Sequence, residues 1–390
     1  MSLLPNKLAS GLVSRHVDLI PSPHGGIDYA ELEKMDIAPE EVIDFSANLN
    51  PFGPPPEVVA ALSESGDELS KTISHYPDSE SRHLRCRLAE KLGVKEENII
   101  VGNGSTELIR LAALAYFRQR EPVLIIEPTF GEYKVACCIA GASVVKQQLS
   151  AENAFQLNLD ETTNLIRRHH PKGIFVANPN NPTGRYFSQT EFGKLLHASQ
   201  DSLVVLDEAY ISFVENGWSS LDLALHSSLR AERSNLLILR SMTKDYALAG
   251  LRLGYGVANE EIIAALRRIC PPWNVNALAQ KAGVVALENE EYLGHCKAKI
   301  KEAKEYLVTE LSHIGLFPLP SEASFFLVKV GDATAFRRTL LQRRILVRDC
   351  ASFGLPSYIR IAPRTMPECQ ILVAAVREII TLQPRYVTLT

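Results

Sequence analysis

The chain has 390 residues, 46% of them hydrophobic and 22% charged, a balance that gives a folded protein of more than one structural unit ample core material. Its 41 basic and 45 acidic side chains leave a net charge of −4, which excludes the global basic field used to hold nucleic acid, so a small anionic ligand would need a locally basic pocket. No run of ~20 apolar residues is present to span a bilayer, so neither nucleic acid nor membrane is an expected partner.

The N-terminal sequence MSLLPNKLASGLVSRH lacks the long apolar stretch and small-residue cleavage site of a secretory signal. The seven cysteines (Cys86, Cys137, Cys138, Cys270, Cys296, Cys350 and Cys369) are odd in number and show no CxxC spacing, so free thiols in a reducing cytoplasm are expected. Residues 1–50 are irregular, with turn signals at 21–26 and 50–56, and read as an arm laid over something larger. From about residue 100 the pattern is α/β. Apolar runs at 123–128, 143–149, 173–179, 203–210, 236–241 and 253–258 read as buried strands, and helical patterns at 106–117, 133–141, 189–199 and 260–269 lie between most of them. Continuous apolar strands point to a sheet covered by helices on both faces. Residues 276–315 read as one long helical stretch. Beyond it the pattern changes to strand FFLVKV, helix TAFRRTLLQRR, strand ILVRDC, strand YIRIAP and helix CQILVAAVREII, a compact α+β unit. Adjacent Cys137 and Cys138 fall in a packed helix. The pair His169–His170 falls in a polar turn without nearby Cys or carboxylates, so no metal site is expected.

Four polar signatures sit just past predicted strands, where open α/β sheets collect functional groups. In Gly102-Asn103-Gly104-Ser105-Thr106-Glu107 two glycines allow close backbone approach, and Ser105 can open a helix whose free N–H groups suit a phosphate; a plain turn with an N-cap fits as well. It is not a P-loop, because no GKS or GKT follows. In Asn178-Pro179-Asn180-Asn181-Pro182-Thr183-Gly184 the prolines would fix Asn181 as an amide donor, or simply shape a turn-rich loop. Asp207, in Asp207-Glu208-Ala209-Tyr210, ends a buried strand, where a carboxylate is costly unless paired with a protonated pyridine nitrogen, a metal or a structural cation. The fourth signature runs Ser241-Met242-Thr243-Lys244-Asp245-Tyr246 and then Gly250-Leu251-Arg252-Leu253-Gly254. A partly desolvated Lys244 could condense with an aldehyde, and Ser241, Thr243 and Arg252 could hold a dianionic phosphate.

Taken in order, GNGSTE, PTFGEY, NPNNPTG, DEAY, SMTKDY and GLRLGY resemble the class I/II aminotransferase superfamily, pyridoxal-phosphate (PLP) fold type I, over essentially the whole chain. The resemblance implies a mainly parallel seven-stranded sheet between helices with a smaller C-terminal α+β domain. It divides the chain into an N-terminal arm (1–50) completing the small domain and the site, a large PLP-binding domain (51–285) and a small domain (286–390). By the same resemblance Lys244 would be the Schiff-base lysine and Asp207 would pair the pyridine nitrogen. Asn181 and Tyr210 would bond the ring hydroxyl oxygen, and Phe130 would stack on the ring. Gly104, Ser105, Thr106, Ser241, Thr243 and Arg252 would hold the cofactor phosphate. Tyr76 would reach that phosphate from a neighbouring subunit, implying a homodimer with shared sites.

His24-Gly25-Gly26, the run 44–51 (DFSANLNP), the run 272–279 (PWNVNALA), the run 346–350 (LVRDC) and the run 358–362 (YIRIA) are similar, within that superfamily, to the threonine-phosphate decarboxylases of cobalamin biosynthesis. That similarity implies a phosphorylated amino-acid substrate held by His24, Gly25, Asn48, Asn181, Arg348 and Arg360. If both arginines clamp the phosphate, the carboxylate is free to turn out of the ring plane and leave as CO₂. Lys244 would then reprotonate Cα, giving (R)-1-amino-2-propanol O-2-phosphate. O-phospho-L-serine is an alternative substrate. The related histidinol-phosphate aminotransferases, which use 2-oxoglutarate, share the SAN-x-NP, YPD and NPNNPTG features and are the alternative function.

Overall fold

The computed structural model describes residues 24–63, 67–225, 235–383 and 386. The N-terminal sequence read for a secretory signal and the turn signals at 21–23 lie outside the described residues. In chain order the strands are β1 (Ile43–Asp44), β2 (Ile99–Asn103), β3 (Pro122–Glu127), β4 (Ser143–Gln148), β5 (Gly173–Ala177), β6 (Leu203–Asp207), β7 (Leu236–Ser241), β8 (Leu253–Val257), β9 (Phe326–Lys329), β10 (Ile345–Leu346), β11 (Arg348–Asp349) and β12 (Tyr358–Ile361).

Seven of them form one sheet in the order β2-β8-β7-β6-β5-β3-β4. β8 runs antiparallel to β2 and to β7, and the other pairings are parallel, so the expected mainly parallel sheet is present. Along β5, β6 and β7 successive side chains alternate between two cores. Ile174, Val176, Val204, Leu206 and Ile238 enter one, while Phe175, Val205, Leu237 and Leu239 enter the other. Helices Ser105–Tyr116, Glu132–Ala140 and Glu260–Ile269 cover the second core through Leu108, Tyr133, Ala136 and Leu266. Helices Arg82–Leu92, Leu159–His169, Gln189–Ala198 and Ala277–Leu287 cover the first through Leu84, Leu88, Ile166, Phe192 and Ala282. Each fully buried Leu or Phe is worth roughly 1.5–3 kcal/mol, so the two cores fix the height and order of the strand ends that carry the polar signatures.

The smaller unit packs helices Glu290–His313, Ala333–Leu341 and Met366–Leu382 on the antiparallel sheet β11-β12-β9, with Leu307, Phe326, Phe336, Ile359 and Leu372 at its centre. The segment ILVRDC, expected as one strand, divides. β10 pairs in parallel with β1 of the N-terminal arm, whereas β11 pairs with β12. Fully buried Val347 lies between the two short strands, and each half satisfies its backbone groups against a different neighbour. The long helical stretch at 276–315 is likewise two helices. The Asn289 side chain donates to the Val285 carbonyl (2.9 Å), competing with the helical ladder at the break.

Helix Leu159–His169 escapes the sequence reading because its only buried side chains are Thr162 and Ile166. The expected turn at His169–His170 is corrected with it: His169 ends this helix and His170 caps it in the left-handed region, at φ 44°. Cys137 and Cys138 lie in helix Glu132–Ala140, and all seven cysteines are free thiols. Among the described residues no group of three or more His, Cys, Asp or Glu side chains meets as a metal-ligand set, and no helix is long and apolar enough to cross a membrane.

Candidate active site

The carboxyl ends of β5, β6 and β7, the amino end of helix Ser105–Tyr116 and the arm residues 24–27 and 44–49 enclose a cavity of about 1020 Å³. At one end lies an anion cradle. The first turn of helix Ser105–Tyr116 presents N–H groups without intrahelical acceptors, at the positive end of the helix. Gly104 precedes it at φ 75°, and a Cβ there would sit 2.7 Å from a guanidinium nitrogen of Arg252. Only a residue without a side chain lets that guanidinium lie against the turn. Gly254 of β8 makes a second close approach, since its Cβ would come 2.7 Å from the Ser105 nitrogen. Ser241, ending β7, and Thr243 place their hydroxyls 2.7 Å apart beside the same cavity. Gly104 itself stands behind the lining rather than in it.

At the cavity centre Asp207 ends β6, buried to 6% exposure. The Tyr133 hydroxyl donates to one carboxylate oxygen (2.8 Å) and the Ala209 N–H to the other (3.0 Å). Burial pushes the Asp207 pKa above the ordinary carboxylate value, while Tyr133, Ala209 and the charge of Lys244 pull the other way. Burial and the facing carboxylate raise the Tyr133 phenol well above its usual range, so it stays a donor. Tyr133 in turn stacks on Phe175, with centroids 4.9 Å apart, and meets the edge of Phe130. The Lys244 ammonium lies 6.0 Å from the centre of the Tyr210 ring. Asn48 donates its amide to the Tyr210 hydroxyl (3.2 Å), and its Oδ1 is buried without a partner among the described residues.

The far end is cationic. Arg348 and Arg360 face each other in register across β11 and β12. Arg360 is 4% exposed. Its fork donates to Asn181 Oδ1 and to the Ser46 carbonyl (2.7 Å), and its Nε is buried without a partner among the described residues. Arg348 donates to Ser352 Oγ (2.7 Å) and lies over the Phe353 ring. Burial lowers the pKa of both arginines, and the Arg360 charge lowers that of Arg348 further. Like charges in register repel, so an anion bound between them would relieve a strain the fold carries. Gly25 lies against Arg360 and the Ser46 carbonyl, into which any Cβ at that position would run. The Gly26 N–H donates to Ser46 Oγ (2.8 Å), fixing the arm over the arginines.

His24, Gly25, Asn48, Ser105, Thr106, Phe130, Asn181, Asp207, Tyr210, Ser241, Thr243, Lys244, Arg252, Arg348 and Arg360, all singled out from sequence, line this one cavity. Tyr76 does not. It is 78% exposed and stacks on Trp273, with centroids 4.3 Å apart. Three lining groups escaped the sequence reading. Tyr133 and Glu132 belong to PTFGEY, from which only Phe130 was given a role. Arg110 stands one helical turn after Thr106, a spacing that places both on one face.

Glu132 is buried and accepts from His24 Nε2 (3.2 Å) and Arg110 (3.1 Å). The His24 hydrogen bond holds its carboxyl below the usual 4.5 against the opposing effect of burial, and Arg110 adds to the lowering. A carboxyl lowered in the folded state contributes stability that is present above the unfolded value and lost as pH falls through the folded one. Glu132→Gln is therefore expected to lower the urea midpoint near neutral pH. The difference should shrink as pH drops below 4.5. Equal midpoints at neutral pH would show that this cluster does not stabilise the fold.

Residues 40–376 match the family described as "Aminotransferase class I and II". A histidinol-phosphate aminotransferase from Moorella thermoacetica is 38% identical over 89% of this chain and 88% of its own length. Among solved structures, histidinol-phosphate aminotransferase from Sinorhizobium meliloti in complex with pyridoxal-5'-phosphate superposes with a TM-score of 0.82 at 23% identity, covering 95% of this chain and 98% of that one. L-threonine-O-3-phosphate decarboxylase from Porphyromonas gingivalis superposes with a TM-score of 0.74 at 29% identity, covering 86% and 99%. The donor set fits the cofactor. The helix terminus, two hydroxyls and Arg252 match a phosphate ester, buried Asp207 suits the cation that a protonated ring nitrogen would bring, and Lys244 lines the same cavity, where its charge acts on Asp207. The chain belongs to the class I and II aminotransferase family and is an enzyme that uses pyridoxal phosphate.

Proposed function

We propose that the chain is a histidinol-phosphate aminotransferase, passing an amino group from the phosphorylated amino alcohol to 2-oxoglutarate. The observation that carries this reading is the bond between Arg360 and Asn181 Oδ1. Asn181 commits its carbonyl to the guanidinium, which leaves its NH₂ for the ring hydroxyl oxygen of the cofactor. Histidinol phosphate has no carboxylate to lose, so with its phosphate gripped by Arg360 the bond left to break at Cα would be Cα–H, and in the second half-reaction the same guanidinium would hold a carboxylate of the oxo acid. The name carried by the 38% identical relative supports the same reading.

Bound pyridoxal phosphate supplies the electron sink that weakens bonds at the substrate Cα. The chain supplies the rest. Ser105, Thr106, Ser241, Thr243 and Arg252 anchor the phosphate ester, and Asp207, oriented by Tyr133 and Ala209, keeps the ring nitrogen protonated. Phe130 covers the ring, and Tyr210 with Asn181 holds its hydroxyl oxygen. Lys244, which would carry the cofactor between turnovers, would take the proton from Cα as general base and pass it as general acid to the cofactor's former aldehyde carbon, so that the amino group stays behind when the oxo product leaves. Arg348 and Arg360, closed over by His24 and Gly25, bind the phosphate of the amine donor in one half-reaction and carboxylates of the oxo acid in the other.

A second reading, decarboxylation of O-phospho-L-threonine, is favoured by the register of Arg348 against Arg360. Two adjacent guanidiniums suit a dianion, and clamping the phosphate there frees the carboxylate to leave. The 29% identical decarboxylase structure adds weight. O-phospho-L-serine, lacking one methyl, would be separated from it by only ~1–3 kcal/mol.

The holoenzyme is expected to form glutamate from histidinol phosphate and 2-oxoglutarate and to release no CO₂ from O-phospho-L-threonine. Release of CO₂ without an oxo acid would replace the first reading by the second. Arg348→Ala is expected to raise KM for the phosphorylated substrate about 10–100-fold with cofactor still bound. An unchanged KM would remove Arg348 from the substrate site. The enzyme acts in the cytoplasm as a homodimer in which Tyr76 of each subunit completes the partner's phosphate cradle. Sedimentation velocity is expected to give twice the chain mass, and a monomer with full activity would overturn this arrangement.

A further inference from the structure

Ser46, Asn48 and Asn50 occur at every second position of one run of the arm and are buried to 2%, 4% and 3% exposure. Each meets a different part of the site. The Ser46 carbonyl accepts from Arg360, and the Asn48 amide donates to the Tyr210 hydroxyl. Asn50 does not line the cavity. Instead it bonds twice to the backbone that carries the lysine. Its own N–H donates to the Lys244 carbonyl (2.9 Å), and its side-chain NH₂ donates to the Asp245 carbonyl (3.0 Å). Its Oδ1 accepts from the Phe52 N–H (3.0 Å), which fixes the amide orientation.

Lys244 and Asp245 lie in a turn between β7 and β8, outside the sheet ladders, so their carbonyls have no strand partner. Among the described residues Asn50 supplies the hydrogen bond to each. We propose that Asn50 is a positioning residue for Lys244: it clamps two consecutive peptide groups at the base of the lysine side chain and so sets where the ε-amino group comes to rest. The clamp also ties Lys244 to Arg360, because the same run carries Ser46. The inference rests on Lys244 holding the cofactor and is independent of which substrate the enzyme takes.

Loosening the base of the side chain lets the ε-amino nitrogen leave the position in the cavity that the clamp sets for it. The holoenzyme of Asn50→Ser is therefore expected to load cofactor fully. Its kcat should drop roughly tenfold with KM within about twofold, and its apoprotein should capture pyridoxal phosphate roughly tenfold more slowly. Asn50→Asp keeps the shape without the donor. The same losses of kcat and capture rate are expected there. A purely structural role would lower the melting temperature and leave kcat and capture rate unchanged, and that result would overturn the proposal. So would glutamate formation or CO₂ release at the wild-type rate in both variants, whichever of the two reactions the wild-type enzyme proves to catalyse.

Discussion

A carboxylate at the end of a strand covered on both faces is the constraint around which this molecule is arranged. Asp207 has left water, and its two neutral donors, Tyr133 and Ala209, do not offset the cost of holding a charge there. A cation must be supplied from the cavity side. Lys244 provides part of it, and a protonated ring nitrogen of the cofactor would complete it. The aromatic stack Phe175–Tyr133–Phe130 then makes sense as support, because it keeps the phenol donor rigid and the surroundings dry. Beneath the site a second buried pair, Glu208 with Arg240, ties β6 to β7 one residue away from each strand's functional end (2.9 Å).

The second organising element is the arm. Residues 43–50 join the small unit through β1, pass under Arg360 and Tyr210, and finish on the lysine turn. The anion grip on β11 and β12 and the lysine after β7 belong to different sheets, and this one run of chain touches both. Gly25 and Gly26 lie over it where no side chain would fit or where the backbone must bond directly to Ser46.

Much of this was legible because strand ends followed by glycine- or proline-rich loops are local signals. GNGSTE, NPNNPTG, DEAY and SMTKDY each carry their structure within a few residues. What escaped was long-range. Arg360 meets Asn181 across 179 positions, His24 meets Glu132 across 108 and Asn50 meets Asp245 across 195. Neither residue of such a pair announces its partner, and the pairing is decided by how the two units pack. The same cause divided ILVRDC. Its apolar pattern is that of one strand, and only the arrival of the arm beside β10 reveals that its halves serve two sheets. At 276–315 the error was of another kind, since the helical period continues through the break and only the side chain of Asn289 interrupts it.

The reversed direction of β8 has a consequence for how the site comes together during folding. A parallel neighbour to β7 would need a long crossover before returning to the sheet. An antiparallel one starts where β7 ends, with Ser241 opposite Gly254. Ser241, Thr243, Lys244 and Arg252 are therefore delivered by a single hairpin connection, whose closure costs far less chain entropy than a crossover. These groups, proposed above to hold phosphate and aldehyde, form a unit of low contact order, able to assemble before the distant partners on the arm and the small sheet arrive.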